Sequence, residues 1–263
     1  MILSRKLVTF FTLTSLAFTA QYNTKEMDTL FNMSLEELMN VSIESVSRKE
    51  TKAFESDSSV YILNSDDIEK SGATSISELL YLIPGVNVGR LDSNMYAVDT
   101  RGINKRFSEE LLVMIDGRTL YTPLFNGVIW SNVDTLLEDI ERIEVIRGPG
   151  ASLWGSNASH GIINIVTKEA SKSAGTLVSI SSETGYLEHL TSIRHGYSKE
   201  NLALRVYAKE SLSRHGKAAS GSQQSVPDIV KAGSEIQDAF RHKQSGFRGD
   251  YYTSDFTLTF QGD

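Results

Sequence analysis

The residues best suited to chemistry in this chain do not converge on a reaction centre. Its five histidines, His160, His189, His195, His215 and His242, are scattered along the sequence. Only His189 and His195 stand near one another, and their even separation puts both on one face of an extended strand. A zinc-type centre needs three or four ligands at tight spacing, so no metal site is expected. Cysteine is absent, which removes disulfides, thiolate nucleophiles and thiolate–metal sites together. Gly148-Pro149-Gly150 with Gly155 has the outline of a phosphate loop, but the Lys-Ser/Thr end that would grip a nucleotide is missing, and a structural turn is the better reading. The acidic groups Asp66 with Asp67, and Glu138, Asp139 and Glu141, could in principle do acid–base or metal work. Their places at helix starts and on an exposed helix face mark them as dipole and solubility features. Nothing pairs a nucleophile with a base and an orienting group, so neither an enzyme nor a cofactor is expected.

The elements that would carry any binding residues come from a folding chain of 263 residues, 40% of them apolar, enough for a packed core. A net charge of −7 and a pI near 5.3 exclude the basic stripe that nucleic acid requires. At the N-terminus, Arg5 and Lys6 precede an uncharged run from Leu7 to Ala20. As a helix that run would reach only about 21 Å, short of the roughly 30 Å hydrocarbon layer, so it reads as an export signal over residues 1–20.

Downstream, residues 21–50 are polar. Ser59 to Leu63 is β-prone and runs into the helix-start signal Asn64-Ser65-Asp66-Asp67; Gly72 ends that helix. Ser75 and Glu78 have capping-box spacing for a second helix, stopped by Pro84-Gly85. Leu111 to Ile115 is continuously apolar, as a strand buried on both faces would be, and Asp116-Gly117 after it is a hairpin turn. A helix over Asp134 to Ile140 leads into a strand from Arg142 to Ile146, and another strand spans Gly161 to Thr167. The fold class is therefore an α/β domain with a small mixed sheet and short helices. After Lys168 helix signals thin out. Alternating stretches follow at Thr176 to Ser181, Tyr186 to Tyr197, Leu202 to Leu212 and Phe247 to Phe260, the last read as two strands or a bent hairpin. Leu202, Leu204 and Val206 interleave with Ala203, Arg205 and Tyr207 as in a barrel wall, and Ser213 to Lys243 reads as a long loop.

Five motifs then fall in order. They are Ser65-Asp66-Asp67-Ile68 through Ile83-Pro84-Gly85-Val86; Arg101-Gly102-Ile103; Val113-Met114-Ile115-Asp116-Gly117; Ile140-Glu141-Arg142-Ile143-Glu144-Val145-Ile146-Arg147-Gly148-Pro149; and Asn157-Ala158 leading to Gly161 through Lys168. Together they resemble the plug domain of TonB-dependent outer-membrane receptors over almost all of Ser59 to Lys168. The resemblance implies a signal peptide at 1–20, a periplasmic segment at 21–50, a plug at 51–168 and the first antiparallel strands of an incomplete transmembrane β-barrel at 169–263.

It also implies the function: energy-coupled uptake of a scarce, bulky ligand, a ferric siderophore or other iron complex, across the outer membrane of a Gram-negative bacterium. The partners implied are the inner-membrane TonB protein, a metal chelate or similar small molecule, and outer-membrane lipid around the barrel. Carried over by position, the apical ligand-binding candidates are Arg90, Asn94, Tyr96, Tyr121, Phe125 and Asn126. Val41, Ser42, Ile43, Glu44, Ser45, Val46 and Ser47 are the candidate TonB box, extended and able to add a strand to a partner's sheet. Arg101, Glu144 and Arg147 are the expected plug-to-barrel contacts, the arginines pairing with barrel glutamates. A complete receptor of this kind needs about 22 strands, so the chain reads as a truncated part of one. The alternative is a soluble periplasmic plug-like module without a barrel.

Overall fold

The computed structural model describes residues 42–43, 51–52, 59–101, 105–148, 154–182, 187–215 and 237–263. The expected signal segment lies outside them, as do Val41 and residues 44–47 of the candidate box. Ser42–Ile43 (β1) pairs antiparallel with Thr51–Lys52 (β2).

The first sheet is built on β3 (Ser59–Asn64), β6 (Leu111–Ile115), β7 (Arg118–Thr119), β10 (Ile140–Arg147) and β11 (Gly161–Thr167), in the order β3-β10-β11-β6-β7. Only β11 and β6 run parallel, which makes the sheet mixed. Every residue of β6 is buried. Leu111, Val113 and Ile115 join Ile143, Val145, Ile163 and Ile165 in the main core, while Leu112 and Met114 meet Ile146 and Ile162 on the other face. That is why β6 shows no polar alternation. Asp116 and Gly117 take φ of 47° and 76°, the left-handed pair that a two-residue hairpin demands and that glycine adopts without strain.

Two short helices cover the main core. Helix α1 (Ser65–Ser71) starts with a complete capping box, Asn64 accepting from the Asp67 amide and Asp67 from that of Asn64, and ends at left-handed Gly72. Helix α2 (Ile76–Leu79) is capped by Ser75, but Glu78 reaches past the cap to the amide and hydroxyl of Thr74. The hairpin of β4 (Asn87–Arg90) and β5 (Tyr96–Asp99) follows, then a smaller one of β8 (Tyr121–Thr122) and β9 (Gly127–Val128).

The helix expected over Asp134 to Ile140 shrinks to one 3₁₀ turn, Leu137–Asp139. Its would-be polar face is spent elsewhere: the Asp139 carbonyl accepts from the Lys168 amide, and the Asp134 carbonyl from Gln244. Ile140 already belongs to β10.

Beyond a 3₁₀ turn at Ala170–Ser173, five strands form an antiparallel meander: β12 (Gly175–Ser181), β13 (Leu187–Lys199), β14 (Leu202–Ser213), β15 (Phe240–Tyr252) and β16 (Thr257–Gly262). One face presents Val178, Ile180, Ile193, Tyr197, Leu204, Val206, Phe247, Tyr251 and Phe260, all exposed. The other face carries Ser192, Arg205, Lys209 and Asp250, all buried. Apolar outward and polar inward is the inverse of a soluble sheet and the pattern of a lipid-facing wall. Strand β15 begins seven residues before the expected Phe247, inside the stretch read as loop. Its upper part hides because both faces are polar: Arg241 and Lys243 pair with Glu210 on one side, and His242 and Gln244 approach Asp134 on the other.

Candidate functional site

The connections of the wall give it a direction. Strands β13 and β14 are joined by Glu200 and Asn201, and β15 and β16 by Thr253 to Phe256, all at one end. The opposite end carries Ser182, Arg214, His215 and residues 237–239. Membrane barrels keep short turns on the periplasmic side and long loops outside, so the long sequence interval between β14 and β15 marks the second end as the one that would face outward in such a barrel. The loop after β4 belongs to it: Ser93 bonds through its amide (2.8 Å) and its hydroxyl to Asp238, at the foot of the β14–β15 connection.

Between sheet and wall lies a seam of opposite charges. Asp139, 1% exposed, is gripped by Arg194 and by Arg205 (3.4 Å). Lys209 reaches Asp134 at 2.6 Å and the Thr135 carbonyl at 3.3 Å. Arg205 also donates to the Lys168 carbonyl at 2.9 Å, and Arg248 to the Thr167 hydroxyl at 2.9 Å while standing 3.7 Å from Asp116. From the wall, Asp250 accepts from the Ala170 amide at 2.7 Å. Asp139 is thus no solubility feature on a helix face but a buried anchor, and the mate of a buried charge must be present or the cost is several kcal/mol.

The expected contacts behave differently. Glu144 is fully buried within the first sheet, where it bonds Arg142 at 2.8 Å and Asn164 at 3.3 Å. Arg147, half-buried, donates to Ser59 at 2.5 Å and lies against Gly85. Arg101 stays exposed beside Gly148. In the described seam the first sheet supplies mostly acids and the wall mostly bases, with Arg118 and Asp263 paired in the opposite sense at 2.7 Å.

At the outer end a cavity of about 280 Å³ is lined by Asn94, Met95, Tyr96, Arg106, Phe107, Phe125, Ile129, Trp130 and Ser131. Phe107 and Phe125 stack with centroids 5.1 Å apart and planes 9° from parallel, and the Arg106 guanidinium lies over Phe107 at 5.3 Å. Gly127 eases this packing: a Cβ there would stand 3.0 Å from the Phe107 Cβ and 3.1 Å from the Ser108 carbonyl, so a side chain would require the Phe107 segment to give way by a few tenths of an ångström. Trp130 is buried, and its indole N–H has no hydrogen-bond partner among the described residues. An aromatic slot with a cation at its rim suits a bulky, anionic guest.

Of the sequence candidates, Asn94, Tyr96 and Phe125 meet in this cavity. Tyr96 is nearly buried and packs in the main core, so it serves chiefly as floor. Arg90 lines a smaller adjoining cavity of about 90 Å³. There it covers the Tyr96 ring at 5.1 Å, stands 3.6 Å from Glu78 and donates to the carbonyls of Asp92 and Ser93, so it shapes the loop. Tyr121 and Asn126 sit on the β8–β9 hairpin outside both cavities; Asn126, at φ 50°, makes its turn. Arg106 and Phe107 were missed. The cue available was a basic–aromatic pair closely following Arg101-Gly102-Ile103.

Residues 52–162 match the family model of the TonB-dependent receptor plug domain. The vitamin B12 transporter of Vibrio cholerae serotype O1 is 35% identical over 136 residues, 50% of this chain and 21% of its own. The ferric enterobactin receptor of Pseudomonas aeruginosa is 32% identical over 168 residues, 56% of this chain and 22% of its own. A crystal structure of that ferric enterobactin receptor superposes with a TM-score of 0.54 at 25% identity, covering 77% of this chain and 32% of the other. The ferric yersiniabactin uptake receptor from Yersinia pestis, at 17% identity and a TM-score of 0.53, shares the fold over 78% of this chain and 31% of its own. The chain spans about a fifth of the length of the curated relatives it matches.

Proposed function

Because residues 52–162 are a plug domain of the TonB-dependent receptor family, followed by strands of that family's wall, we propose that this chain serves energy-coupled uptake of a bulky ligand across the outer membrane, with a ferric siderophore or similar iron complex as cargo. The observation that carries this is the outer-end cavity with its stacked Phe107 and Phe125 and the Arg106 cation. In this reading the ligand rests on that floor, and the inner-membrane TonB protein pulls on residues 41–47. The apolar outer face of β12–β16 favours a lipid setting over a free periplasmic module, since so continuous a patch is rare on soluble proteins.

Arg106→Ala and Phe107→Ala should each weaken binding of a ferric chelate roughly tenfold, the size of a lost cation–π or stacking contact. Surface display should be unchanged. Affinities equal to wild type in both variants would remove the cavity from consideration. Growth of a deletion strain on a panel of iron chelates and on cobalamin tests the cargo: loss of growth on cobalamin alone rejects the iron reading.

A further inference from the structure

Asp99 at the end of β5, Glu110 just before β6 and His160 just before β11 come together from distant parts of the sequence, one ligand atom of each within 4.8 Å of the others. We propose that this triad binds a single divalent ion of the zinc type, fastening three strands at one point. Nothing in this depends on the cavity or its ligand.

The geometry suits such an ion. His160 Nδ1 lies 3.0 and 3.2 Å from the two carboxylate oxygens of Asp99. Two donors bound to zinc at their usual lengths stand roughly 2.9–3.4 Å apart for bond angles between square and tetrahedral, so this pair already has the spacing of ligands sharing a metal. Glu110 Oε2 is 3.6 Å from Nε2, the other ring nitrogen, so completing the set requires its half-exposed side chain to swing toward Nδ1. The remaining coordination position faces solvent, because His160 and Glu110 are only partly covered; an ion can reach the site and keep a water.

The donors are also held in place. The His160 amide donates to the Glu110 carbonyl at 2.8 Å, and its own carbonyl accepts from the Gly148 amide and the Thr100 hydroxyl. Asp99 Oδ1 accepts from the amides of Thr100 (2.6 Å) and Arg101 (3.3 Å). Such supporting bonds fix the direction of metal ligands. Two carboxylates around one neutral imidazole leave a double negative charge for a dication to cancel. Its competitor is a proton: an imidazolium can point one N–H at each acid. Metal binding must displace that proton.

The test is a titration of the metal-stripped whole chain in detergent with Zn²⁺, and with Co²⁺ as a visible probe. One equivalent should bind at micromolar concentration. His160→Ala should weaken binding by about 100-fold, and Glu110→Gln, at a half-exposed position, by about tenfold with unchanged circular dichroism. Wild-type protein that binds no tighter than millimolar overturns the proposal, as does a His160→Ala protein that titrates like wild type. Should His160→Ala fail to fold, Glu110→Gln decides: unaltered affinity overturns the site and a tenfold loss supports it.

Discussion

Glu78 organises the floor of the outer cavity from beneath. Its carboxylate takes the amide and hydroxyl of Thr74, receives the Tyr96 hydroxyl at 3.3 Å and faces Arg90 at 3.6 Å. One acid thereby ties the start of α2 to the β4–β5 hairpin. The phenol feels this strongly: burial first, and then the negative charge of Glu78, push the Tyr96 pKa up from 10.0 to about 12, with Arg90 opposing. The raised value means that the folded state favours the protonated phenol. Its contribution is therefore intact below pH 10 and is lost as pH climbs toward 12. Thermal melts of wild type and Tyr96→Phe should keep a fixed separation up to about pH 10 and then converge as wild type loses ground; a constant separation throughout would contradict the assignment. At this scale the sequence was readable wherever the cause was local. Asn64 with Asp67, and Asp116 with Gly117, announce a cap and a turn through neighbours three or fewer positions away. Tyr96 did not announce its burial, because an aromatic next to a polar loop looks the same whether it roofs a ligand or floors a hairpin.

Among the elements, the seam between sheet and wall rests on Asp139 and Asp134. Asp139→Ala leaves Arg194 and Arg205 facing each other in a dry space, and should cost about 3–5 kcal/mol, read as a drop in the denaturant midpoint of the chain in detergent. Adding Arg205→Met should return part of that loss, since an apolar replacement removes the stranded charge. Additive losses in the double variant would show that the two residues do not share one cluster. The alternation of Leu202, Leu204 and Val206 disclosed the wall because one face meets a uniform environment. Asp139 misled because the acids around it have helix-face spacing, while its partners lie on β13 and β14, more than fifty residues away. His160, 61 residues from Asp99, hid that triad in the same way, since no spacing rule would group it with Asp99 and Glu110. The start of β15 escaped for another reason: above the apolar band both of its faces are polar, so it carries no alternation to read.

For the whole molecule, the two faces of β12–β16 impose opposite tolerances. Val206, exposed on the apolar side, should resist charge: Val206→Arg is expected to cost about 2–4 kcal/mol of insertion stability if it sits near the bilayer midplane. Folding yield into lipid vesicles would register that cost, and a yield equal to wild type would argue that this face never meets lipid. The inner side has the contrary bias. Arg194, Arg205, Lys209 and Arg248 line it against Asp250, and the plug carboxylates hold that excess positive charge in check. Take those carboxylates away and Arg194, Arg205 and Lys209 lose the acids they pair with. The aspartates that seat the first sheet thus also neutralise the face of the wall they meet.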